Sequence, residues 1–127
     1  MSEATQQSIA IVDDDSAVRD SLRFLLEVVG HSVQTFGSAA EFLSANIQNL
    51  ACLILDYHMP HMTGLELAEI LRVDGAAIRI LLITGVASPA VFARATELGI
   101  KVLEKPLVDE ELLDFCQFRP SRADRTY

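Results

Sequence analysis

The sequence predicts an α/β fold in which five apolar strands alternate with five helices. Such repeated βα units build a parallel sheet covered by helices on both faces. Three observations carry this expectation. Short apolar runs such as Ile9-Ala10-Ile11-Val12 and Ile80-Leu81-Leu82-Ile83 read as strands buried on both sides. Between the runs, apolar residues recur at helical spacing. A chain of 127 residues, half of them hydrophobic, suits one domain around a single core.

The elements follow in order. The first strand stops at Asp13-Asp14-Asp15. Ser16 then caps a helix to about residue 29, with Val18, Leu22, Leu25, Leu26 and Val29 on one face and Gly30 as its stop. Residues 31–36 form the second strand, and Ser38 caps a short helix carrying Phe42 and Leu43. The central strand covers about residues 51–55 and ends at Asp56. In the loop Tyr57-His58-Met59-Pro60-His61-Met62-Thr63-Gly64, Pro60 and Gly64 are breakers. Residues 65–73 form the third helix, with Leu67, Ile70 and Leu71 inward and Asp74-Gly75 closing it. The fourth strand, residues 78–83, runs into Thr84-Gly85. Ser88-Pro89 opens the fourth helix, with proline at the first helical position, and Gly99 ends it. Residues 102–104 make the fifth strand, followed by Lys105-Pro106. A last helix starts at Asp109, bears Val108, Leu112, Leu113, Phe115 and Phe118, runs to about Gln117 and stops by Pro120. Residues 1–7 are expected to be a disordered segment, residues 8–118 the folded domain and residues 119–127 a polar tail.

Composition narrows the function. A net charge of −8 argues against a nucleic-acid-binding surface. The N-terminus lacks the basic region and apolar core of a signal peptide. No apolar run approaches the ~20 residues that span a bilayer. Cys52 and Cys116 form neither a CxxC pair nor a zinc-like set, and their spacing gives no disulfide framework. A soluble, cytoplasmic protein is expected.

The polar residues that terminate the strands carry the chemistry. In open α/β sheets ligands bind outside the carboxyl ends of the strands, so Asp13, Asp14, Asp56, Thr84 and Lys105 should converge on one crevice. Clustered carboxylates repel unless a cation neutralises them. One lysine and one hydroxyl beside them suit a phosphoryl group better than a sugar or a peptide. His58 and His61 without a third ligand point to solvated rings rather than a zinc site.

On these residues the chain resembles the receiver domains of bacterial two-component response regulators. The matching elements are Asp13-Asp14, Asp56 with Met59-Pro60-x-Met62-x-Gly64, Thr84-Gly85 and Lys105-Pro106, in the family's order over residues 8–118. Residues 12–29 and 32–43 also look like the branch whose members often carry a DNA-binding output domain; no helix-turn-helix follows Phe118, so direct nucleic-acid binding by this chain is not expected.

The resemblance implies a flavodoxin-like (βα)5 doubly wound sheet with strand order 2-1-3-4-5. It makes Asp56 the phosphoacceptor, with Asp13, Asp14, Asp56 and the His58 backbone carbonyl around Mg²⁺. Lys105 and Thr84 contact the phosphoryl oxygens, and Pro106 follows a cis bond. The implied partners are a sensor histidine kinase or phosphotransfer protein and a downstream protein met through the fourth helix, fifth strand and fifth helix; a homodimer is compatible. The implied activity is a phosphoacceptor switch with slow autodephosphorylation, not an enzyme with a diffusible substrate. His61 matches a variable loop position, not a phosphorelay donor.

Two departures qualify the resemblance. The family usually carries Tyr or Phe where this chain has Val102, which predicts a weak or differently routed conformational response. Val86 replaces a polar residue near the attacking water, which predicts slow dephosphorylation. Two alternatives stand beside the leading reading. One is a pseudo-receiver acting as an unphosphorylated protein-binding module. The other is an aspartate-nucleophile hydrolase, which needs a second acid where His58 stands.

Overall fold

In a computed structural model, residues 8–116 are described. The expected disorder of residues 1–7, the last helix's end at Gln117, Phe118, the stop at Pro120 and the tail 119–127 lie outside them. The elements are β1 (Ser8–Val12), α1 (Ser16–Val28), β2 (Ser32–Phe36), α2 (Ala39–Ala45), β3 (Leu50–Asp56), α3 (Gly64–Val73), β4 (Arg79–Thr84), α4 (Pro89–Leu98), β5 (Lys101–Glu104) and α5 (Asp109–Cys116). All strand pairs are parallel, in the order β2-β1-β3-β4-β5. No helix among the described residues is long and apolar enough to cross a membrane.

The two-residue period of a strand divides the core into two layers. Ile9, Ile11, Cys52, Ile54, Leu81 and Ile83 face α1 and α5, packing on Leu22, Leu26, Leu112 and Phe115. Ala10, Val12, Leu53, Leu55, Ile80 and Leu82 face α2, α3 and α4, meeting Phe42, Leu67 and Ala95. Both faces of the sheet are therefore dry, which is why its strands read as unbroken apolar runs.

Several local expectations need correction. Asp15, not Ser16, is the N-cap of α1, its carboxylate accepting from the Ala17 amide at 2.9 Å. An acidic side chain caps as well as a hydroxyl and also favours the positive end of the helix dipole. Val29 and Ile70 are exposed rather than inward: Val29 is the C-cap beyond the last residue of α1, and Ile70 on α3 faces the groove toward α4. Val108 and Leu43 are exposed as well, while Phe115 is buried. Ser38 and Ser88 do cap α2 and α4, and Gly99 closes α4 with φ +70°, where glycine carries no Cβ penalty.

Two long-range contacts were not visible in the pattern. Cys52 and Cys116 are free thiols, both buried, whose sulfurs meet at 3.9 Å between β3 and α5. Arg72, at the end of α3, donates to the carbonyls of Leu98, Ala76 and Ile78 at 2.8–2.9 Å and to Gly99 at 3.4 Å. That guanidinium ties the end of α3 to the entry of β4 and the end of α4. Lysine lacks the planar fork needed to serve three directions at once. Arg72→Lys is therefore expected to cost about 1–3 kcal/mol in urea unfolding, the range for orphaned carbonyl acceptors; an unchanged midpoint would count against the clamp.

Candidate functional site

The parallel register delivers the strand ends to one edge of the sheet. Asp56 stands opposite Ile83, and Thr84 opposite Glu104. The amide of Tyr57 donates to Ile83 O at 2.8 Å, and that of Lys105 to Thr84 O at 2.9 Å, so the ladder extends one residue past each strand. The Lys105–Pro106 bond is cis.

The loop after Asp56 is fastened at both ends. Met59 is buried in the core. Thr63 and Glu66 form a reciprocal capping box at 3.1 and 2.9 Å that starts α3. A Cβ on Gly64 would collide with the Asp56 carbonyl and approach Leu82 Cδ1 to 2.8 Å, so only glycine lets α3 begin against the strand end. Gly85 is different: a Cβ there would meet nothing within 4 Å, so the fold itself makes no demand for glycine.

Asp13, Asp14 and Asp56 come together, each offering an oxygen within 4.8 Å of the others. Asp13 and Asp56 are 5% exposed, while Asp14 is open to solvent. Asp13 is fixed by the Asp15 amide on its Oδ1 at 2.9 Å and by Arg19, which donates to its backbone carbonyl at 2.6 Å. Arg19 was not singled out from the sequence, since an arginine on the first turn of a helix has no distinguishing pattern.

Lys105 Nζ lies 3.2 Å from Asp56 Oδ1. The contact is ionic rather than an aligned hydrogen bond, for Oδ1 is buried and accepts no hydrogen bond among the described residues. A buried carboxylate oxygen left in that state is costly unless another cation or donor meets it. Hard oxygen donors of this kind are what Mg²⁺ selects, and the orphaned Oδ1 beside two further carboxylates fits such an ion.

The remaining expected residues are arranged less directly. Thr84 is buried at the end of β4, but its hydroxyl donates to Val86 O at 3.1 Å. His58 is exposed, its ring edge-on to Tyr57 at 4.9 Å. His61 holds a left-handed backbone with φ +71° and lines the groove between α3 and α4 together with Glu66, Glu69 and Arg94.

Burial raises both carboxyl groups above their ordinary range. For Asp56, burial is the largest cause; Lys105 pulls the other way, and Asp14 adds to the rise. For Asp13, burial again leads, opposed by the Asp15 amide and reinforced by Asp56.

The profile described as response regulator receiver domain matches residues 9–117. The transcriptional regulatory protein FixJ of Azorhizobium caulinodans is 38% identical over 107 residues, covering 83% of this chain and 51% of that protein. The response regulator protein TodT of Pseudomonas putida is 39% identical over 107 residues, covering 83% and 47%. A CheY-like receiver domain protein from Methanospirillum hungatei superposes with a TM-score of 0.80 at 28% identity, covering 87% of this chain and 90% of that one. The chain spans about half the length of the curated relatives it matches.

A pH dependence follows from the raised carboxyls. Their folded-state values exceed the ordinary 3.8, so the folded protein holds these protons more tightly than the unfolded chain. That stabilisation is complete below the unfolded value and is lost as pH rises through the folded values. Asp56→Asn removes one ionisation that the fold resists. In metal-free buffer the variant should melt higher than wild type at neutral pH, with the gap closing as pH falls into the ordinary carboxylate range. A gap that is absent at neutral pH, or that widens on acidification, contradicts this reading.

Proposed function

The chain belongs to the receiver domain family of two-component response regulators, and on that premise we propose that Asp56 accepts a phosphoryl group from the phosphohistidine of a sensor histidine kinase or phosphotransfer protein. The observation that carries this reading is the Asp56 carboxylate itself. It is buried at the end of the central strand, faced by the Lys105 ammonium at 3.2 Å, and has an oxygen with no hydrogen bond among the described residues. It is a restrained anion with one counter-charge and room for another.

In the transfer, an Asp56 carboxylate oxygen forms the new bond to phosphorus. The phosphorus–nitrogen bond to the donor imidazole breaks, its electron pair staying on the ring nitrogen. Lys105 offsets the negative charge that the incoming phosphoryl oxygens bring. Thr84 turns its hydroxyl from Val86 O to a phosphoryl oxygen. Asp13, Asp14, Asp56 and the His58 backbone carbonyl would hold Mg²⁺, which supplies neutralisation of carboxylate and phosphoryl charge. Asp15 is occupied as the cap of α1 and takes no part.

The phosphorylated state shifts an equilibrium already present in α4, β5 and α5, and a downstream protein reads that face. Hydrolysis of the acyl phosphate resets it. Val86 is 80% exposed beside Thr84 and presents only methyl groups to any attacking water.

Incubation with a small phosphodonor and Mg²⁺, followed by intact mass, should give one added phosphoryl group on wild type and none on Asp56→Asn. An unmodified wild type would instead favour a binding module that is never phosphorylated. A second expectation concerns lifetime: Val86→Glu should shorten the decay of the phosphorylated form, and an unchanged or longer decay rejects the role given to Val86.

A further inference from the structure

The peptide unit joining Val86 to Ala87 is gripped at both of its polar ends. Its carbonyl accepts from Thr84 Oγ1 at 3.1 Å, and its N–H donates to Glu104 Oε2 at 3.0 Å. Thr84 closes β4 and Glu104 closes β5, and the two are partners in the parallel register. One peptide plane is thus clasped between the ends of two strands, directly before Ser88, the cap of α4.

Glu104 also occupies a telling place on its strand. Residues two apart on a strand share a face, so Glu104 lies on the same side of β5 as Val102. Val102 packs in the layer containing Ala95, Leu98 and Ile100, the layer beneath α4. A valine there is short and has one preferred rotamer, so it cannot swing toward the β4–α4 loop. The polar reach from β5 to that loop comes from Glu104.

We propose that Glu104 is a positioning residue: by holding the Ala87 N–H it fixes the Val86 carbonyl as the resting acceptor of the Thr84 hydroxyl, and so opposes phosphoryl binding at Asp56. This deepens the phosphoacceptor reading and rests on it. Thr84 cannot donate one proton to two acceptors, so engaging a phosphoryl oxygen strips Val86 O of its donor. The carboxylate–amide bond is charge-assisted and keeps the peptide plane from turning to find another. Any bond made only in the resting state lowers the affinity for the activating group by the factor with which it stabilises that state. Val86→Glu, by contrast, changes what lies beside the attacking water and leaves the Ala87 clasp in place.

The test uses the whole chain with Mg²⁺ and beryllofluoride as the phosphoryl mimic, comparing wild type, Glu104→Ala and Glu104→Gln. Amide exchange of Ala87 is read first, without beryllofluoride. It should be protected in wild type and Glu104→Gln, whose amide oxygen can still accept, and should lose protection in Glu104→Ala. Beryllofluoride affinity is then read from amide shifts. Glu104→Ala should bind about threefold to tenfold more tightly, the equivalent of one lost hydrogen bond, with Glu104→Gln close to wild type. Unchanged Ala87 exchange in Glu104→Ala overturns the clasp. Equal tightening by Gln and Ala overturns it too, because charge near Lys105 would then be the cause. Failure of wild type to bind beryllofluoride at all defeats the phosphoacceptor reading, and the Ala87 exchange still decides whether the clasp exists.

Discussion

The site depends on one electrostatic constraint: a carboxylate buried at the end of the central strand, beside two others and facing the Lys105 ammonium. Asp56 and Asp13 are both nearly inaccessible, Asp14 supplies a third negative charge from the rim, and Lys105 stands 3.2 Å away. Burial makes every charge there harder to sustain. The parallel sheet brings these strand ends to one edge, which is what sets the carboxylates side by side. β1, β3, β4 and β5 end side by side, and each loop begins where its strand leaves the hydrogen-bonded ladder. Gly64 adds to the constraint, since α3 starts so close to Asp56 that no side chain fits between.

Much of this was legible in the sequence for a physical reason. Strands covered on both faces must be apolar throughout, so an abrupt polar residue at the end of such a run marks the sheet's edge. That rule located Asp13, Asp56 and Thr84, and the serine caps at Ser38 and Ser88 set helix starts. Strand order was expected from family resemblance and matches the observed β2-β1-β3-β4-β5. Sequence was weaker where two side-chain acceptors compete for one capping role, as with Asp15 and Ser16 at the start of α1. It was weaker again where a helix ends or its apolar stripe fades, as at Val29, the C-cap of α1, and at Ile70, both of which are exposed.

Contacts between residues far apart in the chain were not legible at all. Nothing in the pattern around Arg72 announces that it serves carbonyls of α4 and of the segment entering β4. The meeting of Cys52 and Cys116 needs the α5 docking angle, which spacing does not encode. Glu104 is the clearest case. As a lone exposed acid at the end of a strand it looks like surface solvation, and only the register with Thr84 reveals its hold on the β4–α4 loop. Thr84 does lie buried at the end of β4, yet the partner its hydroxyl takes, Val86 O in the loop two residues on, could not be read from the strand pattern.

If Asp13, Asp14 and Asp56 form one cation-binding cup, a divalent ion should bind where the loops after β1 and β3 meet, and its binding should depend on each carboxylate. Titration of the metal-free protein with Mg²⁺, followed by backbone amide shifts, tests it most directly. Saturable shifts centred on the loops after β1 and β3 are expected, weakened by Asp14→Asn and by Asp13→Asn. Shifts that never saturate, or that persist unchanged in both variants, would contradict it.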